Sequence, residues 1–245
     1  MPLLELRYYS QSLRKQTAAN VILPDPDVPG PWPVMFLLHG LSDDHTIWLR
    51  RTSIERYVQG MPLIVVMPDG GRGFYADAEE GFAYGTAIGQ ELVEMIQAYF
   101  PTGPEWCVTG LSMGGYGAIR TALEHPTLFR SAVSHSGALH FGNVDLEEEN
   151  EFNMEFRRVV GRKPKGGPHD LHSLVASLSP EALPALRIDC GTEDFLLDAN
   201  RSFHGHLTQL GIDHEYEEFP GEHNWAYWDE HVQRALAFHR RNLGF

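Results

Sequence analysis

Along the chain, short apolar runs alternate with longer stretches in which apolar residues recur every three or four positions. The runs Val34-Met35-Phe36-Leu37-Leu38 and Leu63-Ile64-Val65-Val66-Met67 show no period-two alternation. That is the signature of parallel strands covered on both faces. Shorter runs follow at 106–109, 131–134 and 186–190, and a last strand is predicted near 214–219. Between them, Ile88, Leu92, Met95, Ile96 and Tyr99 keep helical spacing up to Pro101, and Ala118, Ile119, Ala122 and Leu123 do so up to Pro126. Val232, Leu236 and Phe238 fit a closing helix. Strands alternating with helices predict an α/β fold, a doubly wound and mostly parallel sheet with helices on both faces, in one domain over 1–245.

The 141–180 stretch breaks this rhythm. It holds an acidic run from Glu147 to Glu151, a basic Gly/Pro-rich stretch over 162–168, and no clear strand. Two readings stand: a surface excursion with a helix of its own, or a cap over a ligand site.

Gly110-Leu111-Ser112-Met113-Gly114 matches G-x-S-x-G. A chance match is expected in about one of nine sequences of this composition, so context decides. Here the motif follows the apolar run Trp106-Cys107-Val108-Thr109 and opens a helix near Gly114. That is the strand–turn–helix setting of a nucleophile elbow. The serine must take a strained backbone conformation to lift its hydroxyl above the sheet, and side chains at 110 or 114 would collide across so sharp a turn. A serine hydroxyl also needs a base, and the base an orienting acid. In this setting they should follow in the order Ser, acid, His, on loops after later strands. Asp194 lies just beyond the run at 186–190, and His223 just beyond the predicted last strand. Asp189 and Glu193 are the competing carboxylates: Asp189 sits inside a strand and starts too deep, and Glu193 should point away from its neighbour.

The chemistry further requires two backbone N–H groups facing the developing oxyanion. Met113, after the nucleophile, supplies one. Leu41, in the loop His39-Gly40-Leu41-Ser42 directly after the first apolar run, is the candidate for the other, with His39 as a buttress. His135 and His140 follow a sheet strand near the site, and His45, His125, His169, His172 and His239 are expected at surface or capping positions. Trp48, Tyr75, Tyr84, Trp225, Tyr227 and Trp228 fall in or beside loops near the site. Core and rim packing explains most such aromatics, while a stacking platform for substrate is the alternative, with Trp48 and Trp225 as the substrate-binding candidates.

Together these motifs resemble the tributyrin-esterase branch of the esterase D group of α/β hydrolases. The resemblance is carried by Leu37-Leu38-His39-Gly40-Leu41-Ser42 with Trp48 and Arg50-Arg51-Thr52, and by Gly110 to Gly117. Gly191-Thr192-Glu193-Asp194-Phe195-Leu196 and Pro220-Gly221-Glu222-His223-Asn224-Trp225 complete it. It covers about three quarters of the chain and is weakest over 141–180. The group also includes S-formylglutathione hydrolases, feruloyl and acetyl-xylan esterases, and mycolyltransferases. The resemblance implies a serine carboxylesterase for short acyl esters, with Ser112, Asp194 and His223 as triad and Leu41 and Met113 as oxyanion donors. The motif selects Asp194 over Glu193, with Phe195-Leu196 expected to anchor that loop. The chain departs from S-formylglutathione hydrolases after Leu41 and over 141–180. Acyl transfer, deacetylation of a sugar or phenolic ester, thioester hydrolysis and a silent binding module are the alternatives.

Composition narrows the partners. With 19 Lys and Arg against 33 Asp and Glu, the net charge of −14 disfavours nucleic acid and anionic membranes. Cys107 and Cys190 both sit in apolar runs and read as buried free thiols. There is no apolar leader region at the N-terminus and no stretch of 18 uncharged apolar residues, so a cytoplasmic location is expected. The expected partner is a small ester, the chemistry calls for no metal or other cofactor, and homo-oligomerisation stays open.

Overall fold

The apolar runs form the strands that their pattern predicts. A computed structural model describes residues 1–245. Its eight strands are β1 (Leu3–Ser10), β2 (Lys15–Ile22), β3 (Trp32–Leu38), β4 (Ile64–Pro68), β5 (Thr102–Leu111), β6 (Phe129–His135), β7 (Ala185–Gly191) and β8 (Glu215–Phe219). They form one sheet in the order β1-β2-β4-β3-β5-β6-β7-β8. The pairs from β4 to β8 are parallel, while β1 and β2 add an antiparallel hairpin at one edge.

The missing alternation in β3 has a direct cause. Val34, Phe36 and Leu38 enter the larger core on one face, and Met35 and Leu37 the smaller core on the other. Both faces are covered, so neither set can be polar. The nine α-helices are α1 (Ile47–Arg51), α2 (Ile54–Tyr57), α3 (Tyr84–Thr86), α4 (Val93–Tyr99), α5 (Met113–Glu124), α6 (Glu151–Val160), α7 (Leu171–Ser177), α8 (Leu197–Gln209) and α9 (Trp225–Leu243). The larger core takes α4 to α8, while α1, α2 and α9 close the smaller one. The helix predicted over 88–99 begins with a π-helical turn at Ala87–Leu92. The 141–180 stretch carries two helices, α6 and α7, rather than one. No helix is long and apolar enough to cross a membrane.

His239 is not at the surface. It is fully buried under β5 and β6, with Nε2 2.7 Å from Thr109 Oγ1 and Nδ1 2.7 Å from Ser131 Oγ. Burial disfavours the imidazolium and pushes its pKa down to about 3. The unfolded chain therefore takes up this proton first as pH falls. Stability present above pH ~6.5 is lost on acidification toward pH 3, at up to about 1.4 kcal/mol per pH unit from this residue. Urea midpoints measured from pH 7 to pH 4 should fall steeply, and His239→Gln should flatten the slope. An unchanged slope in that variant would place the acid sensitivity elsewhere.

Candidate active site

Ser112 sits at the junction of β5 and α5 with φ 53° and ψ −116°. A left-handed serine is strained, and the surroundings fix it there. Its N–H donates to His135 O at 3.0 Å, and its carbonyl accepts from Tyr116 N–H and Ala138 N–H at 3.2 and 3.0 Å. Only glycine fits on either side. A Cβ at Gly110 would lie 2.0 Å from Gly114 O, and one at Gly114 would lie 2.5 Å from Leu38 O.

Ser112 Oγ is 3.0 Å from His223 Nε2. On the far side of the ring, His223 Nδ1 lies 2.8 and 3.0 Å from the two oxygens of Asp194. Burial would raise the Asp194 carboxyl, but hydrogen bonds from His223 and from the Leu196 N–H outweigh it and hold the pKa below its ordinary value. Glu193 turns away and accepts from Gly221 N–H at 2.7 Å, bracing the loop that carries His223. Asp189 is fully buried beneath the site, where its carboxylate meets His135 Nδ1 at 2.8 Å and the Tyr227 hydroxyl at 3.1 Å. That network joins β6, β7 and the first turn of α9, the helix entered directly from the His223 loop.

The loop after β3 is held by its carbonyls. Trp48 Nε1 donates to Leu38 O (3.1 Å), and the Tyr75 hydroxyl to His39 O (3.0 Å). His39 Nε2 accepts from Gly70 N–H at 2.8 Å, so Nδ1 carries the ring hydrogen and donates to Gly40 O at 2.7 Å. Three successive carbonyls are thereby tied back, and the N–H of Leu41 is left without an acceptor. The N–H of Met113, first residue of α5, has no partner within its helix. The Tyr75 anchor depends on two consecutive left-handed residues, Phe74 (φ 52°) and Tyr75 (φ 53°). Sequence periodicity carries no signal for that turn.

These groups open into a cavity of about 1050 Å³. Leu41, Met113, His223 and Trp225 line it, and so does the 141–180 stretch through Phe141, Val144, Leu146, Phe152 and Phe156. Trp48 does not. It is buried, fixed by its bond to Leu38 O, and stands edge-on behind Trp225 at 5.2 Å between ring centres. Its substrate-binding role is thus replaced by a structural one in the loop after β3. Phe195 also differs from expectation: it is exposed, and its ring lies 4.4 Å from that of His223, while Leu196 alone is buried.

A serine at a strand–helix elbow with a histidine beside it, above a mostly parallel sheet wrapped by helices, defines the α/β-hydrolase class. The chain belongs to the esterase family described as "Putative esterase", which matches residues 10–239. It is similar to an acetyl esterase from Caldicellulosiruptor saccharolyticus, 31% identical over 97% of this chain and 98% of that one. Among solved structures it is similar to the substrate-bound fluorophosphonate-binding serine hydrolase FphF of Staphylococcus aureus, with TM-score 0.86, 32% identity, and 97% of this chain and 98% of that chain covered. The S-formylglutathione hydrolase FrmB of Staphylococcus aureus matches with TM-score 0.84 and 32% identity over the same shares. The protein is a serine esterase, a carboxylic ester hydrolase for small substrates, and the likeness extends to both the acetyl esterase and the formylglutathione hydrolase side of the group.

Proposed function

We propose that the protein hydrolyses short-chain carboxylic esters through Ser112, His223 and Asp194. The observation that carries this reading is the 3.0 Å approach of Ser112 Oγ to His223 Nε2, with Asp194 behind the ring. Ser112 Oγ attacks the acyl carbon as its proton passes to His223 Nε2. Asp194 keeps the other ring nitrogen protonated and oriented, and steadies the imidazolium that forms. The carbonyl oxygen, now an oxyanion, takes hydrogen bonds from Leu41 and Met113 N–H. His223 then returns the proton to the leaving alcohol oxygen, and the acyl group stays on Ser112. Water, deprotonated by His223, repeats the attack and frees the acid.

The acyl arm is read as short and the alcohol arm as the one that fills the cavity. Support comes from the acetyl esterase relative and from a volume far beyond what an acetyl or butyryl group needs. In this reading Trp225 contacts the substrate and the 141–180 stretch acts as the cap. A second reading, thioester hydrolysis of S-formylglutathione, draws on the likeness to FrmB. Nitrophenyl esters from about two to twelve acyl carbons separate the acyl classes, since each misfitted methylene shifts kcat/KM measurably. The optimum is expected at about two to six carbons. Faster turnover of the dodecanoyl than of the butyryl ester would refute the short-acyl reading.

A further inference from the structure

The reaction at Ser112 sets no condition on the charge of the substrate, but the cavity does. Its deep wall is apolar: Phe74, Phe141, Leu146 and Phe156 are all buried, and Phe74 stacks on Phe141 with ring centres 3.6 Å apart. Two carboxylates face the same space, Asp43 from the loop after β3 and Asp198 from the first turn of α8. Neither is in an ion pair, and no lysine or arginine lines the cavity. Asp43 is close to the chemistry. A Cβ built on Gly40 would lie 3.1 Å from Asp43 Oδ2 and 3.8 Å from Ser112 Cβ.

The cations nearby do not offset these charges. Arg72 reaches the rim, where one guanidinium nitrogen is 3.4 Å from Leu41 O. Both oxygens of Glu155 already hold that guanidinium. Arg51 lies outside the cavity and is the least of the influences on Asp43, and Arg201, which attracts Asp198, is already held by both oxygens of Glu218. His140 lines the cavity, and burial lowers its pKa, so it is neutral at pH 7. A second anion entering this half-enclosed space would face uncompensated like charge in a medium less polar than water.

We propose that the cavity selects esters by charge: it takes uncharged or cationic substrates and turns away those bearing a carboxylate or phosphate on either arm, with Asp43 and Asp198 as the specificity-determining residues. The proposal rests on the esterase reading above and adds to it the substrate's charge class. Each aspartate also has a local structural use: the Asp43 backbone N–H donates to Gly40 O at 3.3 Å, closing the turn after β3, and Asp198 complements the start of α8. Asparagine keeps the backbone and the side-chain shape at both positions and removes the charge, which makes it the discriminating substitution.

The test uses two pairs of esters that differ by one carboxylate. 4-Acetoxybenzoate against its methyl ester varies the alcohol arm, and the nitrophenyl half-ester of adipic acid against nitrophenyl hexanoate varies the acyl arm. Each kcat/KM is divided by the ester's own hydroxide-catalysed rate, at low ionic strength. The anionic member of each pair should be at least about tenfold slower, the scale of one unscreened like charge at this range. Asp43→Asn should narrow the gap by about threefold or more and the more exposed Asp198→Asn by about twofold. Salt at 0.5 M should narrow it in the unaltered protein. Glu94→Gln, on the exposed side of α4, should leave the ratio unchanged.

Equal rates within each pair would overturn the proposal. So would a bias that survives both aspartate variants yet shifts with Glu94→Gln, which would assign it to the chain's overall charge. Turnover of S-formylglutathione, a carboxylate-bearing thioester, faster than that of neutral butyrate esters would overturn it as well. If Asp43→Asn fails to fold, Asp198→Asn still decides through the same ratio. Absence of all ester turnover would strike the esterase reading itself, a result distinct from turnover without charge preference.

Discussion

Ser112→Ala is expected to lower kcat on ester substrates by on the order of 10⁶ and to abolish labelling by a fluorophosphonate. The size follows from the unit character of the site: without the hydroxyl, His223 has no proton to take and the N–H groups of Leu41 and Met113 have no covalent intermediate to stabilise. Residual turnover of on the order of 10³ over water is expected from oriented N–H groups and binding alone. Folding should be unaffected. Alanine keeps the Cβ that already tolerates φ 53°, and the lost hydrogen bond is to a half-buried ring. Melting temperature by circular dichroism should stay within a few degrees of the parent, since no buried group of comparable cost is orphaned. Ser42 is the control built into the experiment, because it lines the same cavity but has no base bonded to it. Labelling that persists in Ser112→Ala and maps to Ser42 would move the nucleophile.

How much of this was legible in the sequence depends on whether a feature is written in neighbouring residues. The two longest apolar runs were, because β3 and β4 are covered on both faces and hold no polar residue in every second place. The hairpin of β1 and β2 was not. It lies at the sheet edge, where β1 alternates between exposed and half-buried residues, and β2 mixes Lys15, Gln16 and Asn20 with small residues. The elbow was legible, since its two glycines answer to a steric demand that any side chain would violate. His223 was legible from its position after a strand rather than from its type, whereas position left Glu193 and Asp194 both open and the family resemblance chose Asp194. What escaped was mostly tertiary: the Tyr75 bond to His39 O and the buried Asp189 network join residues far apart in the chain, and the left-handed turn at Phe74-Tyr75 that sets up the first leaves no periodic signal. His239 misled for the same reason, because its partners Thr109 and Ser131 lie on distant strands.

Asp194→Asn should lower kcat by roughly 10⁴ with the fold intact, the scale of the same change in serine protease triads. The cause is geometric. Asp194 accepts from the ring N–H of His223 at Nδ1, which leaves Nε2 bare to take the Ser112 proton. An asparagine that keeps its carbonyl on the Leu196 N–H turns its NH₂ toward His223, and an amide donor favours the tautomer with hydrogen on Nε2. That tautomer cannot act as base toward Ser112. The charge that steadied the imidazolium is lost as well, and a carboxylate whose pKa is lowered in the folded protein is one whose charge favours that fold. Glu193→Gln is the matched control. Its carboxylate holds Gly221 N–H from an exposed position, and a glutamine carbonyl can accept the same bond. The cost there should be tenfold or below, roughly what a slight loosening of the His223 loop would give. Both variants can be checked for secondary structure by circular dichroism before kinetics. If Glu193→Gln proves the more damaging of two folded variants, the orienting carboxylate is Glu193, and the His223 loop must rearrange when substrate binds.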